Sequence, residues 1–173
     1  MRIISGIYKG RNLKGFDIDG TRPTMDRVKE SLFAMIQNDI KGLNCLDLYA
    51  GSGSLGIEAL SNGANHVTLV DQSKVAIDTI KENTKGMKSI TIIHADAFKL
   101  HDHIKQKFNL VFLDPPYHKQ LIGPTLQYLK KNNFLEKGAI VVCEYEEEQF
   151  DDTDFSLLKM RTYGKKYIKI LKF

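Results

Sequence analysis

The sequence predicts an α/β fold, a mostly parallel sheet with helices on both faces, and two patterns carry that expectation. Strand-like and helix-like segments alternate along most of the chain, and the strand-like segments are near-continuous apolar runs such as LVFL and AIVVC. Strands buried on both faces of a parallel sheet read as unbroken apolar stretches, and right-handed crossovers through helices connect them. A length of 173 residues, 42% of them hydrophobic and 27% charged, suits one well-cored domain over residues 1–173. No internal repeat, low-complexity tract or linker interrupts it.

Taken in order, residues 2–4 and 11–13 read as a short N-terminal hairpin, so that residues 1–23 form an extension before the main alternation. Thr24 is placed to cap a helix whose apolar positions Val28, Leu32, Met35 and Ile36 share one face, ending near Gly42. Residues 45–49 are the first core strand, 54–62 a helix closed by Gly63, and 66–70 the next strand. Ser73 caps a helix to about Thr84, 90–94 is a strand, and a short helix follows Asp96. Residues 109–113 form a strand, 122–132 a helix and 139–144 a strand; 155–162 and 167–173 pair as a closing hairpin.

In such sheets ligands bind beyond the carboxyl ends of the strands, at the switch in strand order. The first strand runs into DLYAGSGSLGIEAL, where Gly51, Gly53 and Gly56 spell G-x-G-x-x-G at the start of a helix. Glycines let backbone N–H groups approach a ligand, and the helix N-terminus favours negative charge. The pattern fits a dinucleotide, but Asp47 just before it suits an ammonium or sulfonium group better than a pyrophosphate, which favours S-adenosylmethionine over NAD. The turn residues Tyr49, Ala50, Gly51, Ser52 and Gly53 are therefore candidate cofactor contacts.

Asp71, with Gln72 beside it, ends the second strand where an acid accepts from ribose hydroxyls. Asp96, Ala97 and Phe98 follow the third, where a carboxylate can accept from an adenine amine and an apolar neighbour can cover the ring; Asp96 serves equally well as a helix cap. The fourth strand stops on Asp114-Pro115-Pro116-Tyr117. An exocyclic amine is a poor nucleophile until its N–H groups find acceptors. The Asp114 carboxylate and the Pro115 carbonyl supply two, the prolines fixing the backbone that aims the second. Tyr117 would stack on the base.

The net charge of +4 conceals an asymmetry: residues 1–30 carry seven Lys/Arg against four Asp/Glu, and residues 159–173 carry six Lys/Arg and no acid. Basic termini gathered on one side would make a footprint for a nucleic-acid backbone. Cys45 and Cys143 sit in apolar runs as buried thiols. The five histidines show no metal-ligand spacing, so no metal is expected. No apolar stretch suits a signal peptide or a membrane span, which points to the cytoplasm.

DPPY after the fourth strand, together with DLYAGSGSLGIEAL, resembles the class I S-adenosylmethionine-dependent methyltransferases that act on exocyclic amines of adenine or guanine. MRIISGIYKGRNLKG and TRPTMDRVKESLFAMI narrow the resemblance to the RsmD type, which methylates N2 of a guanine in 16S ribosomal RNA. The resemblance implies a Rossmann-like, doubly wound seven-stranded sheet with its last strand antiparallel. It also implies that Asp47, Gly51, Gly53, Asp71 and Asp96 bind the cofactor, that Arg22, Pro23 and Thr24 close over cofactor or substrate, and that Asp114 to Tyr117 hold the target amine. The implied partner is 16S ribosomal RNA or the small-subunit particle. Three rivals stay open on the residues alone: an adenine-N6 methyltransferase on RNA or DNA, an NAD-dependent oxidoreductase, and a non-catalytic RNA-binding module.

Overall fold

The apolar runs become the centre of one sheet. A computed structural model describes residues 1–15, 22–117, 119–146 and 149–173, and of residues 22–26 the backbone alone. The strands are β1 (Asn44–Asp47), β2 (His66–Asp71), β3 (Ile90–His94), β4 (Phe108–Leu113), β5 (Leu135–Glu146), β6 (Ser156–Tyr163) and β7 (Lys166–Lys172). Their order in the sheet is β3-β2-β1-β4-β5-β7-β6, parallel except for β7, which runs antiparallel to β5 and β6. The helices are α1 (Arg22–Ile36), α2 (Ser54–Ser61), α3 (Lys74–Asn83) and α4 (Ile122–Lys131), with a 3-10 turn at Ala97–Asp102.

Side chains alternate across a strand, so each run feeds two cores. Cys45, Val67, Leu69, Leu110 and Phe112 pack beneath Leu32, Ile36, Ile57, Ile77 and Ile80 of α1, α2 and α3. Their neighbours Leu46, Val70, Val111 and Leu113 point the other way, onto Leu126 and Leu129 of α4 and Leu100 of the 3-10 turn. Cys45 and Cys143 are both buried, as their apolar surroundings predict. Among the described residues no helix is long and apolar enough to cross a membrane.

Several boundaries differ from the sequence reading, each for a local reason. Thr24 is the third residue of α1 and not its cap: the helix begins at Arg22, because Pro23 is tolerated in a first turn that needs no N–H from it. The same helix stops at Ile36, where the exposed polar trio Gln37–Asp39 tightens into a 3-10 turn before Gly42. β5 starts four residues early, since Leu135 pairs with Phe108 ahead of a register shift, and Gly138 (φ 80°) absorbs the irregularity. The N-terminal hairpin is reduced to one antiparallel bridge, Arg2 to Asn12.

That short hairpin is held from below by a buried acid. Glu58 of α2 is fully buried and accepts from Ile4 N at 2.9 Å, Ser5 N at 2.9 Å and Ser5 Oγ at 3.0 Å. Lys29 of α1 reaches the same carboxylate at 3.2 Å and donates to Arg2 O at 2.7 Å and Ser54 Oγ at 3.1 Å. One ion pair thus joins the hairpin, α1 and the first residue of α2. Gly6 completes the seat: at φ 79° a Cβ would lie 1.8 Å from Ser61 O, so only glycine lets the turn approach.

Candidate active site

β1 and β4 are neighbours at the centre of the sheet, yet their crossovers lead to opposite sides, which makes the rim between them the switch point. Asp47 is paired with Phe112 in register, so the glycine turn after β1 and the Asp114 segment after β4 leave the sheet side by side. The remaining strand ends follow on the same rim: Ala50 N donates to Val70 O at 2.9 Å and Ala95 N to Asp71 O at 3.1 Å.

The turn is shaped by its glycines. Gly51 (φ 54°) and Gly53 (φ 80°) take left-handed conformations that side chains resist, and Gly53 is the N-cap of α2 without any side-chain cap. Gly56 serves closeness instead: a Cβ there would stand 2.3 Å from Leu69 Cδ2 and 2.9 Å from Val67 Cγ1, so α2 can lie against β2 only as it is. Asn83 of α3 supports the turn from outside, donating to Ser52 O at 2.9 Å and to Lys14 O at 2.9 Å. Ser52 is buried, and its hydroxyl is turned toward Met1 Sδ at 3.7 Å.

Asp47 lies beneath this turn. It is 2% exposed and its Oδ2 accepts the Gly56 N–H at 2.9 Å, a distant side chain doing the work of a helix cap. Burial pushes its carboxyl up to about 7; the Gly56 hydrogen bond opposes the rise and the charge of Asp71 adds to it. Because the folded-state value exceeds the unfolded one, the contribution of Asp47 to stability is greatest at low pH and is lost as pH rises through about 7. Asp47→Asn keeps an acceptor for Gly56 and removes the titration. Its melting temperature should exceed that of the parent at pH 8 by roughly 2–4 °C or more, with the gap narrowing toward pH 4, as read by thermal melts across that range.

Asp71 closes the second strand with both oxygens engaged: Oδ2 accepts Gly51 N at 2.9 Å and Oδ1 accepts Ser73 N at 2.8 Å. Gln72 is exposed beside it, its carbonyl accepting from His94 Nε2 at 3.0 Å. Asp96 caps the 3-10 turn, taking the Phe98 N–H at 2.8 Å, so the capping role read as an alternative is present. Ala97 is buried, and Phe98 meets Tyr128 edge-on with ring centroids 5.5 Å apart. Tyr49 is half-buried and its hydroxyl is bound to Thr125 Oγ1 of α4 at 2.6 Å. The side chains of Arg22 and Thr24 lie outside the described residues, and so does His118 in the loop after Tyr117.

At the end of β4, Asp114 is half-buried, Pro115 buried and Pro116 exposed. Burial raises the Asp114 carboxyl well above the ordinary carboxylate range. Glu144 raises it further, Lys166 opposes, and Asp47 adds a smaller push. Tyr117 donates its hydroxyl to Glu144 Oε1 at 2.9 Å. Neither Glu144 nor Lys166 was singled out from the sequence. The signal for Glu144 was there to read: the run AIVVC ends on an acid just as the other core strands do.

Comparison with known proteins settles the family. A family model described as "Conserved hypothetical protein 95" matches residues 1–172. The chain belongs to this family, the RsmD family. Curated relatives of the chain carry the name "Ribosomal RNA small subunit methyltransferase D". That of Haemophilus influenzae is 37% identical over 175 residues, covering 95% of this chain and 89% of the relative. That of Escherichia coli is 35% identical over 150 residues, covering 86% and 76%. Among solved structures, yhhF of Escherichia coli superposes with a TM-score of 0.88 at 31% identity, over 99% of this chain and 97% of that one. HI0767 of Haemophilus influenzae gives 0.82 at 32% identity, with the same coverage of 99% and 97%. The fold is thus the Rossmann-like methyltransferase fold, and neither the oxidoreductase nor the non-catalytic module is favoured.

Proposed function

We propose that this chain, acting as a single domain over residues 1–173, transfers a methyl group from S-adenosylmethionine to the N2 amine of a guanine in 16S ribosomal RNA, in the cytoplasm and without a metal. One observation carries the reading: the Asp114-Pro115-Pro116-Tyr117 segment and the glycine turn leave adjacent strands at the switch point, β1 and β4 being paired as far as Asp47 and Phe112. The names of the curated relatives support ribosomal RNA as the substrate.

The residues present fit the cofactor. A tight turn at Gly51 and Gly53 and acids at three consecutive strand ends offer backbone donors and carboxylate acceptors to a nucleoside with a cationic tail. Asp71 keeps lone pairs that would serve ribose hydroxyls beside its two backbone bonds, and Asp96 and Phe98 would border the adenine. Asp47 works from below, holding the start of α2 against the turn through Gly56 N. Tyr49, Ala50 and Ser52 shape the turn, while Gln72 and Ala97 flank Asp71 and Asp96; Arg22 and Thr24 would close the site. The bound cofactor supplies an electrophilic methyl group on a sulfonium.

The chain's part is alignment. Asp114 and the Pro115 carbonyl accept the two amine N–H groups, drawing the nitrogen out of conjugation with the ring and fixing its lone pair in line with the methyl carbon. After transfer the nitrogen is cationic, and a carboxylate whose proton affinity is raised by burial and by Glu144 is suited to take the proton. Tyr117 supports the base by stacking. The test is transfer of tritiated methyl to unmodified 30S particles and to naked 16S RNA, followed by nucleoside analysis. N2-methylguanosine at one position is expected; N6-methyladenosine would establish the adenine rival, and no transfer to either substrate would refute the reading.

A further inference from the structure

Lys166 has no role assigned above and Glu144 only its effect on Asp114, yet both reach into the target-amine site. They lie on the antiparallel pair β5 and β7, where Glu144 is opposite Ile168 and Glu146 is opposite Lys166. Lys166 therefore has Glu146 straight across and Glu144 on the diagonal, within reach of a long side chain. Its ammonium takes the diagonal: Nζ is 3.0 Å from Glu144 Oε1. The same oxygen accepts the Tyr117 hydroxyl at 2.9 Å, and the ammonium lies 4.9 Å from the centroid of the Tyr117 ring. The two charged side chains are only 23% and 12% exposed, so the pair is desolvated enough for its geometry to be held firmly.

We infer that Glu144 and Lys166 are positioning residues for the target base: Glu144 anchors Tyr117 by its hydroxyl and Lys166 covers one face of the ring, leaving the other face to stack on a base beside Asp114. This rests on the methyl-transfer reading of the same site. A tyrosine pinned at its far end loses little further freedom when a base arrives, so its ring is ready as a platform. The pair also balances charge around Asp114, which is faced by Glu144 from β5, Lys166 from β7, Asp47 from β1 and Tyr117 from its own segment; Glu146 adds to the field at Tyr117. Removing the anion or the cation alone should therefore shift the ionisation of Asp114 in opposite directions.

The experiment measures methyl transfer to 30S particles by the full chain carrying Glu144→Ala, Tyr117→Phe, the double substitution, Lys166→Met and Lys166→Arg. Binding of S-adenosylhomocysteine and thermal melts are measured for each. Glu144→Ala and Tyr117→Phe should each lower kcat/KM for the particle roughly tenfold, the size of one hydrogen bond to a charged group, with the double variant losing no more than either single. Affinity for S-adenosylhomocysteine should stay unchanged. Lys166→Met should lose a similar factor and Lys166→Arg recover most of it.

The acid limb of kcat/KM should move to lower pH in Glu144→Ala and to higher pH in Lys166→Met, a signature that a merely structural pair would not give. Should Glu144→Ala fail to fold, Glu144→Gln carries the same prediction for the limb. Additive losses, silent variants, or limbs moving together would overturn the inference. An Asp114→Ala control separates the two levels. If it is inactive while Glu144→Ala is silent, only the positioning role fails; if it retains full transfer, the underlying reading fails.

Discussion

Asp114→Ala is expected to lower methyl transfer about a hundredfold to a thousandfold while leaving affinity for S-adenosylhomocysteine within about threefold. The asymmetry follows from position. The turn contacts Asp47 and Asp71 directly, through Gly56 N and Gly51 N, whereas Asp114 stands on the next strand facing Glu144, Lys166 and Tyr117. Removing it deletes one of two acceptors for the amine and the group that takes the proton afterwards. The protein itself should not suffer. The folded-state value of Asp114 is raised, so the ionised carboxylate opposes folding, and stability is lost as pH climbs through that value. Asp114→Asn, which keeps the volume, should melt at or above the parental temperature at pH 8 and still be inactive. A sharp fall in cofactor affinity, or parental activity, in either variant would contradict this division of labour. Calorimetry and initial-rate assays decide it.

Glu58→Ala should be the most destabilising of the substitutions considered. The carboxylate is fully buried, accepts the Ile4 and Ser5 amides and the Ser5 hydroxyl, and is the partner of Lys29, whose side chain is 6% exposed. Taking away one member of a buried pair strands the other, which costs about 3–5 kcal/mol. For a chain of this length that lowers the melting temperature by roughly 6–20 °C. Loss of Glu58 also frees the hairpin and loosens Lys29 from Ser54, the first residue of α2, so cofactor affinity should weaken as well. Thermal melts and calorimetry on one preparation test both. A combined Lys29→Met and Glu58→Leu variant, which removes both charges together, should recover part of the stability. Recovery would show that the stranded lysine, more than the lost amide bonds, is the source of the cost.

The parts of the fold legible in the sequence are those set by local chemistry. β3 appears where an apolar run bounded by polar residues places it, and Ser73 caps α3 as its spacing before the helix indicates. The acids after each core strand were readable because an apolar run that ends on a carboxylate has few structural reasons to do so. What escaped the sequence depends on partners far along the chain. Glu58 looks like the polar side of a short helix until the hairpin 53 and 54 residues earlier is laid upon it. Lys166 lies 22 residues from Glu144, and only the antiparallel register of β5 and β7 brings them together. The start of α1 was misplaced because Thr24 is a good cap by type, while the proline before it is a better first-turn residue.

The account depends on the donor sulfur sitting over the glycine turn with the Asp114 carboxylate and the Pro115 carbonyl turned toward it. A crystal structure of the chain with S-adenosylhomocysteine and a guanosine-containing RNA fragment measures this directly. The predicted result places the sulfur beside Gly51, the ribose on Asp71, and the guanine N2 within hydrogen-bonding distance of Asp114 and Pro115. A cofactor bound away from the β1–β4 rim, or a base presenting its amine to other residues, would contradict it.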